Sequence, residues 1–123
     1  MPTPFTGMLQ TLAKQRGVAA ALITIEKDGI VVDALSHVGL AEERVAALAA
    51  SLYRKGRLSS AAAGMGSVSF MQLEAPRGRM FIVGAGPLVL VVVAAQAVNV
   101  GRVRVEMLKS VAELEAIGVM GIA

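Results

Sequence analysis

Apolar positions along the chain change their spacing from block to block, and each spacing predicts an element. Phe5, Met8, Leu9 and Leu12 recur at i, i+3, i+4 and i+7, one face of a short helix over residues 5–15. Thr6 is placed to cap it through its hydroxyl, and Gly17 to end it. Residues 18–26, VAAALITIE, read as a strand. Lys27-Asp28-Gly29 follows as a tight hairpin turn, the Asp-Gly pair supplying positive φ angles, and residues 30–35, IVVDAL, return as the second strand. After a loop over 36–39, residues 41–63 carry a long helical pattern, AEERVAALAASLYRKGRLSSAAA, with Val45, Leu48, Ala49 and Leu52 as its apolar face. Glu42 and Glu43 near its start, and Arg54, Lys55 and Arg57 later, match the helix dipole. Gly56 costs about 1 kcal/mol relative to Ala, too little to end so long a pattern.

Gly64-Met65-Gly66 breaks the helix, and residues 67–74, SVSFMQLE, read as a strand. Its alternation changes phase between Phe70 and Met71, which predicts a bulge or burial on both faces. Ala75-Pro76-Arg77-Gly78 is a turn. The stretch from 80 to 101, MFIVGAGPLVLVVVAAQAVNVG, is nearly free of charge. Pro87 and its neighbouring glycines divide it into pieces too short to cross a bilayer as a helix, and its valines favour pleated strands. It predicts a hairpin turning at Ala85-Gly86-Pro87. The second of its strands, LVLVVVAA, alternates with nothing polar, so helices are expected on both sheet faces. Val100, Val103, Met107, Val111 and Leu114 then share one face of a closing helix over 99–116, with Asn99 as N-cap and Gly118 and Gly121 at a frayed end.

The order is therefore α-β-β-α-β-β-β-α, without repeat or linker, in a chain whose 123 residues suit one domain with a core over about 5–117. Hydrophobic residues make up 55% and charged residues 17%, a composition that folds. Net charge is +3, with Lys and Arg scattered, and aromatics are 3%, which argues against nucleic acid as a partner. There is no Cys, which excludes disulfide scaffolds, thiolate metal sites and thiol catalysis. The first residues do not read as a secretion signal, so a cytoplasmic location is expected.

The chemistry of catalysis has few candidates. His37 is the only histidine and is expected in a solvated loop, so no metal site forms around it. Glu42, Glu43 and Asp28 lack partners for paired-carboxylate work. Ser59, Ser60, Ser67 and Ser69 lack a nucleophile-elbow context. Gly84-Ala85-Gly86 follows a strand, yet Pro87 and another strand come next where a phosphate site needs a helix N-terminus; Gly64-Met65-Gly66 fits no phosphate motif either. A binding protein without catalytic residues or cofactor is expected.

The element order, together with GVAAALITIEKDGIVVDAL, AEERVAALAASL and FIVGAGPLVLVVVAAQAVNVGRVRVEMLKSVAEL, resembles the roadblock family (dynein light chain roadblock type) over about residues 7–116. The resemblance implies an α+β, profilin-like fold: a five-stranded antiparallel sheet with one long helix on one face and two helices on the other. It implies homodimers or heterodimers joined through central strands and long helices. It also implies roles as motor-associated light chains, as scaffolds, or as partners of small Ras-like GTPases; bacterial MglB-like members regulate such a GTPase. The Ala-, Val- and Gly-rich composition points to a bacterial source. The sequence has no long N-terminal arm and no tail past Ala123, so members regulated through such extensions are poor guides.

A dimer argument also follows from the residues. Glu43, Ala46, Ala50 and Arg57 form a second stripe on the long helix, whose small side chains admit an antiparallel mate with Glu43 opposite Arg57 of the other copy. Against this stands the plainer reading that Ala46 and Ala50 cover the domain's own sheet. The strand over 67–73, including Ser67, Val68, Ser69, Phe70 and Met71, is the candidate pairing edge. Glu42, Arg44, Ala47, Ser51 and Arg54 are the candidate GTPase contact surface. Two alternatives stand beside the GTPase reading: a scaffold indifferent to nucleotide, and a small-ligand sensor with an apolar pocket between sheet and helix.

Overall fold

The computed structural model describes residues 2–37 and 39–117. Its elements are α1 (Thr6–Ala13), β1 (Val18–Ile25), β2 (Val31–Ser36), α2 (Glu42–Ala62), β3 (Met71–Ala75), β4 (Gly78–Ala85), β5 (Leu88–Ala94) and α3 (Val100–Ile117). The five strands form one antiparallel sheet in the order β2-β1-β5-β4-β3. The order and layering are those the sequence predicts. Gly118 and Gly121 lie outside the described residues.

The charge-free run resolves into β4 and β5, paired from Arg79↔Ala94 to Ala85↔Leu88 across a Gly86-Pro87 turn. β5 lies at the centre and is covered on both faces. Leu88, Leu90 and Val92 enter one core with Phe5, Leu9, Leu12, Val103, Met107 and Leu114 of the α1/α3 layer. Val89 and Val91 enter the other with Ala46, Ala49 and Tyr53 of α2. Its lack of alternation follows from this double burial.

Helix ends follow local chemistry. Asn99 caps α3, its Oδ1 accepting the Arg102 N–H at 3.1 Å. α2 ends in a Schellman motif: the Met65 N–H donates to Ser60 O at 2.9 Å and the Gly64 N–H to Ala61 O at 3.1 Å, with Gly64 at φ +71°. α2 runs unbroken past Gly56. His37 is exposed, yet its ring Nε2–H donates to Ala13 O at 2.7 Å and ties the end of β2 to the end of α1.

Five expectations are corrected. Thr6 does not cap α1; it is already helical. The Phe5 N–H donates to Thr3 Oγ1 at 3.1 Å, the Thr3 N–H donates to Thr6 Oγ1 at 2.7 Å, and the Thr3 hydroxyl donates to the Asp33 carboxylate. The β1–β2 turn is not a two-residue Asp-Gly turn. Only Gly29 has positive φ, at +72°, and the loop closes from Ile25 to Ile30 with a bulge at Ile23/Thr24. The predicted strand over 67–74 begins only at Met71, because residues 67–70 lack a ladder partner within the chain. The phase change marks that start: Phe70 turns to the α3 layer while Val68 and Met71 pack on the α2 layer. No basic residue occupies the last turn of α2, so Arg54, Lys55 and Arg57 do not serve its dipole. Finally, the buried face of α2 is Ala46, Ala49, Ala50 and Tyr53, whereas Leu48 is 61% exposed and Val45 and Leu52 are half-buried. The facing strands fill most of the space with Leu22, Ile82, Val89 and Val91, so the helix contributes alanines and, over Gly84, Tyr53.

Candidate functional site

Small residues on the inner side of α2 push its larger ones to its two flanks, and the flanks differ. Gly56 marks the side facing β3, since a Cβ there would stand 2.9 Å from Met71 Sδ and Cε. Val45 and Leu52 share that side, at i−11 and i−4 from Gly56, with Leu48 next to them. Ala47 marks the other side. Its Cα would stand 2.8 Å from a Cβ on Gly29, so this flank lies against the β1–β2 hairpin.

The hairpin flank carries the charges. Arg54 Nη1 donates to Glu26 O at 3.0 Å and to Lys27 O at 3.3 Å. Arg57 Nη2 pairs with Glu26 Oε1 at 2.6 Å, which raises the guanidinium pKa first through that hydrogen bond and then through the carboxylate charge. Tyr53 lies beside the pair, its hydroxyl in the space a Cβ on Gly84 would occupy, 2.1 Å from that position. Burial raises the Tyr53 pKa, Glu26 adds to the rise, and Arg57 opposes it.

The structure brings together four of the five proposed GTPase contacts. Arg44, Ala47, Ser51 and Arg54 form one row at i, i+3, i+7 and i+10. Leu58, 56% exposed, extends the row by the same spacing and went unnoticed in the sequence. Glu42 stands apart, half-buried on the side of Ala46. Of the proposed pairing stripe, Ala46 is buried against the chain's own sheet, Ala50 is buried as well, and Arg57 is engaged by Glu26 of its own chain. Glu43 remains exposed. Of the proposed edge, Met71 lies in β3, while Ser67, Val68, Ser69 and Phe70 precede it.

The two edges of the sheet also differ. On β2 the Asp33 carboxylate accepts the Ala34 N–H at 2.8 Å and the Thr3 hydroxyl, occupying groups a new strand would need. β3 has no such cover among the described residues, and Leu73 is 49% exposed on it. No group of three or more metal-ligating side chains stands together among the described residues, and none of their helices is long and apolar enough to cross a membrane. The space an apolar sensor pocket would need between α2 and the sheet is occupied by the alanines and Tyr53.

A three-helix, five-strand chain in this order, with α2 on one sheet face and α1 and α3 on the other, has the architecture that the roadblock resemblance implies. The Roadblock/LC7 domain model matches residues 6–94, and the chain belongs to that family. Two uncharacterised proteins of Methanocaldococcus jannaschii are each 28% identical over 109 residues, spanning 89% of this chain and 95% of their own. Among solved structures, Myxococcus xanthus MglB superposes with TM-score 0.84 at 18% identity, covering 96% of this chain and 97% of its own. A Roadblock/LC7 domain from Streptomyces avermitilis gives 0.82 at 20%, covering 92% and 96%. MglB in a tetrameric arrangement gives 0.83 at 17%, covering 95% and 91%. The sequence relatives are thus archaeal and the structural neighbours bacterial, so the expected bacterial source has no single support.

Proposed function

We propose that this chain is a non-catalytic homodimeric adaptor of the cytoplasm that binds a small Ras-like GTPase and shifts its nucleotide state. The observation that carries the reading is the division of α2 into two flanks. Its β3 side offers Val45, Leu48 and Leu52 beside an uncovered edge, a surface suited to a second copy. Its hairpin side offers Arg44, Ala47, Ser51, Arg54 and Leu58, a mixed row suited to a partner with charge of its own. The kinship with roadblock domains, MglB among its structural neighbours, supports the same assignment.

In the dimer, residues 67–70 extend β3 and pair across the two-fold axis, while Glu43, four residues before Ala47, stands on the hairpin flank outside that contact. Leu48→Asp puts a charge on the β3 flank. The expected result is a solution mass that falls from twice 12.7 kDa to 12.7 kDa with the fold retained. A wild-type mass of 12.7 kDa removes the dimer. For the partner, the immobilised protein is exposed to native lysate with a non-hydrolysable GTP analogue or with GDP. A Ras-like GTPase retained only with the GTP analogue is expected. Equal retention in both arms replaces the regulator with a scaffold.

A further inference from the structure

Away from α2, two connections are pinned side by side. The Ala95 N–H donates to Gly17 O at 2.7 Å and the Val98 N–H to Ala95 O at 3.1 Å, joining the exit of α1 to the entry of α3. Beside them lies a half-open cleft of about 650 Å³, lined in part by Val98, Asn99 and the exposed Lys14, Arg16 and Arg102. Its volume is that of small-molecule sites, roughly 300–1,000 Å³.

The charge in this cavity is of one sign. Lys14, Arg16 and Arg102 line it and no carboxylate does. None of the three is ion-paired among the described residues, unlike Arg57, Arg79 and Lys109. The acid of the adjoining groove, Glu106, stands 3.8 Å from Lys109. Asn99, which caps α3 by accepting the Arg102 N–H at 3.1 Å, lines the cavity together with Arg102. Two guanidinium forks and an ammonium match a phosphate dianion or pyrophosphate better than a single carboxylate. No aromatic side chain lines the cavity, so nothing there stacks on a base.

We propose that this cavity binds a phosphate group, of a small phosphorylated metabolite or of a lipid headgroup, through Lys14, Arg16 and Arg102. No lining residue comes from α2 or β3, so the site is independent of the GTPase reading and stays open in a dimer joined there.

The test uses the full chain and inorganic pyrophosphate, titrated calorimetrically at low salt. Saturable binding is expected, weakened roughly tenfold or more in Arg16→Ala/Arg102→Ala. Lys55→Ala/Arg77→Ala removes the same charge from exposed positions elsewhere and is expected to bind as the wild type. No saturable binding to the wild type, or equal loss in both double variants, overturns the proposal. Flotation with phosphatidic acid or phosphatidylcholine vesicles separates the sources. Capture by phosphatidic acid vesicles alone, competed by pyrophosphate, assigns a headgroup. Pyrophosphate binding without capture assigns a soluble ligand. Capture that survives both pyrophosphate and Arg16→Ala/Arg102→Ala overturns the cavity as the site.

Discussion

The two faces of this sheet are packed by opposite means. Toward α1 and α3 the core is built of large side chains from both layers, with Phe5, Leu9, Leu12, Met107 and Leu114 meeting Phe81 and Leu90. Toward α2 the strands supply the bulk and the helix supplies alanines. The first arrangement buries the large residues on the inner side of its helices and leaves Val105 and Leu108 of α3 outside. The second brings a helix close and, apart from Tyr53 over Gly84, turns its larger side chains to the flanks and outward. Both faces complete the fold; the α2 face does so mainly with small helix residues and keeps Leu48 and Leu58 in water.

The sharpest break in that comparison is Phe81→Ala. Phe81 is fully buried on the α1/α3 side, with its ring 5.8 Å from Phe70, over which Arg104 lies at 4.9 Å. Truncation opens a cavity where large groups meet and is expected to cost about 3–5 kcal/mol, read as a lowered urea midpoint. A loss below about 1 kcal/mol means that this layer collapses freely and is not the rigid half.

On the opposite face the sensitivity reverses. Ala49→Leu adds bulk where the helix already touches Leu22, Val89 and Val91, and is expected to cost about 1–3 kcal/mol. Neutral behaviour at position 49 puts slack in the alanine seam and removes the reason Leu48 faces out.

Tyr53 gives the α2 face a pH dependence of its own. Burial and the Glu26 carboxylate raise its pKa above the ordinary 10.0, against the pull of Arg57. Below pH 10 the phenol is neutral in both folded and unfolded chains, and its contribution is fully present. As pH rises past 10 the unfolded chain ionises first, and stability falls until the folded phenol also ionises. Tyr53→Phe is expected to flatten that alkaline decline in denaturant midpoints between pH 9 and 11, on the order of the shift itself. An unchanged slope removes Tyr53 as the source of the decline.

Much of this comparison was legible in the sequence. The unbroken apolar run of β5 announced two covered faces, since no strand with one wet face carries Leu88 to Val93 without a polar residue. Gly64 and Asn99 marked helix ends because the terminal backbone groups must find local partners, whereas α1 ends at Ala13, short of the expected Gly17. The orientation of α2 was not legible. Alanine suits both a tight seam and an exposed helix, so the pattern assigned Leu48 to the interior with Leu52; Leu52 does pack at the border of that core, and only the bulk of the facing strands turns Leu48 outward. The Arg57–Glu26 pair was equally hidden, because its partners lie 31 residues apart and meet through the packing of α2 on the hairpin. Lys14, Arg16 and Arg102 read as scattered surface charge, and the pinning of Ala95 to Gly17 is what gathers them.

Gly56→Ala carries the smallest expected effect and probes the seam most finely. In an open helix the change gains up to about 1 kcal/mol. Here the new methyl group meets Met71 Sδ and Cε at 2.9 Å, the far end of an unbranched side chain that has other rotamers. The helix gain is therefore expected to outlast the displacement, leaving a net stabilisation below about 1 kcal/mol in urea. Net destabilisation means that Met71 is fixed in the notch of Gly56, and that the start of β3 is locked to α2 before any second copy arrives. In that case the α2 face is a closed core like its opposite, and the contrast between them narrows to side-chain size.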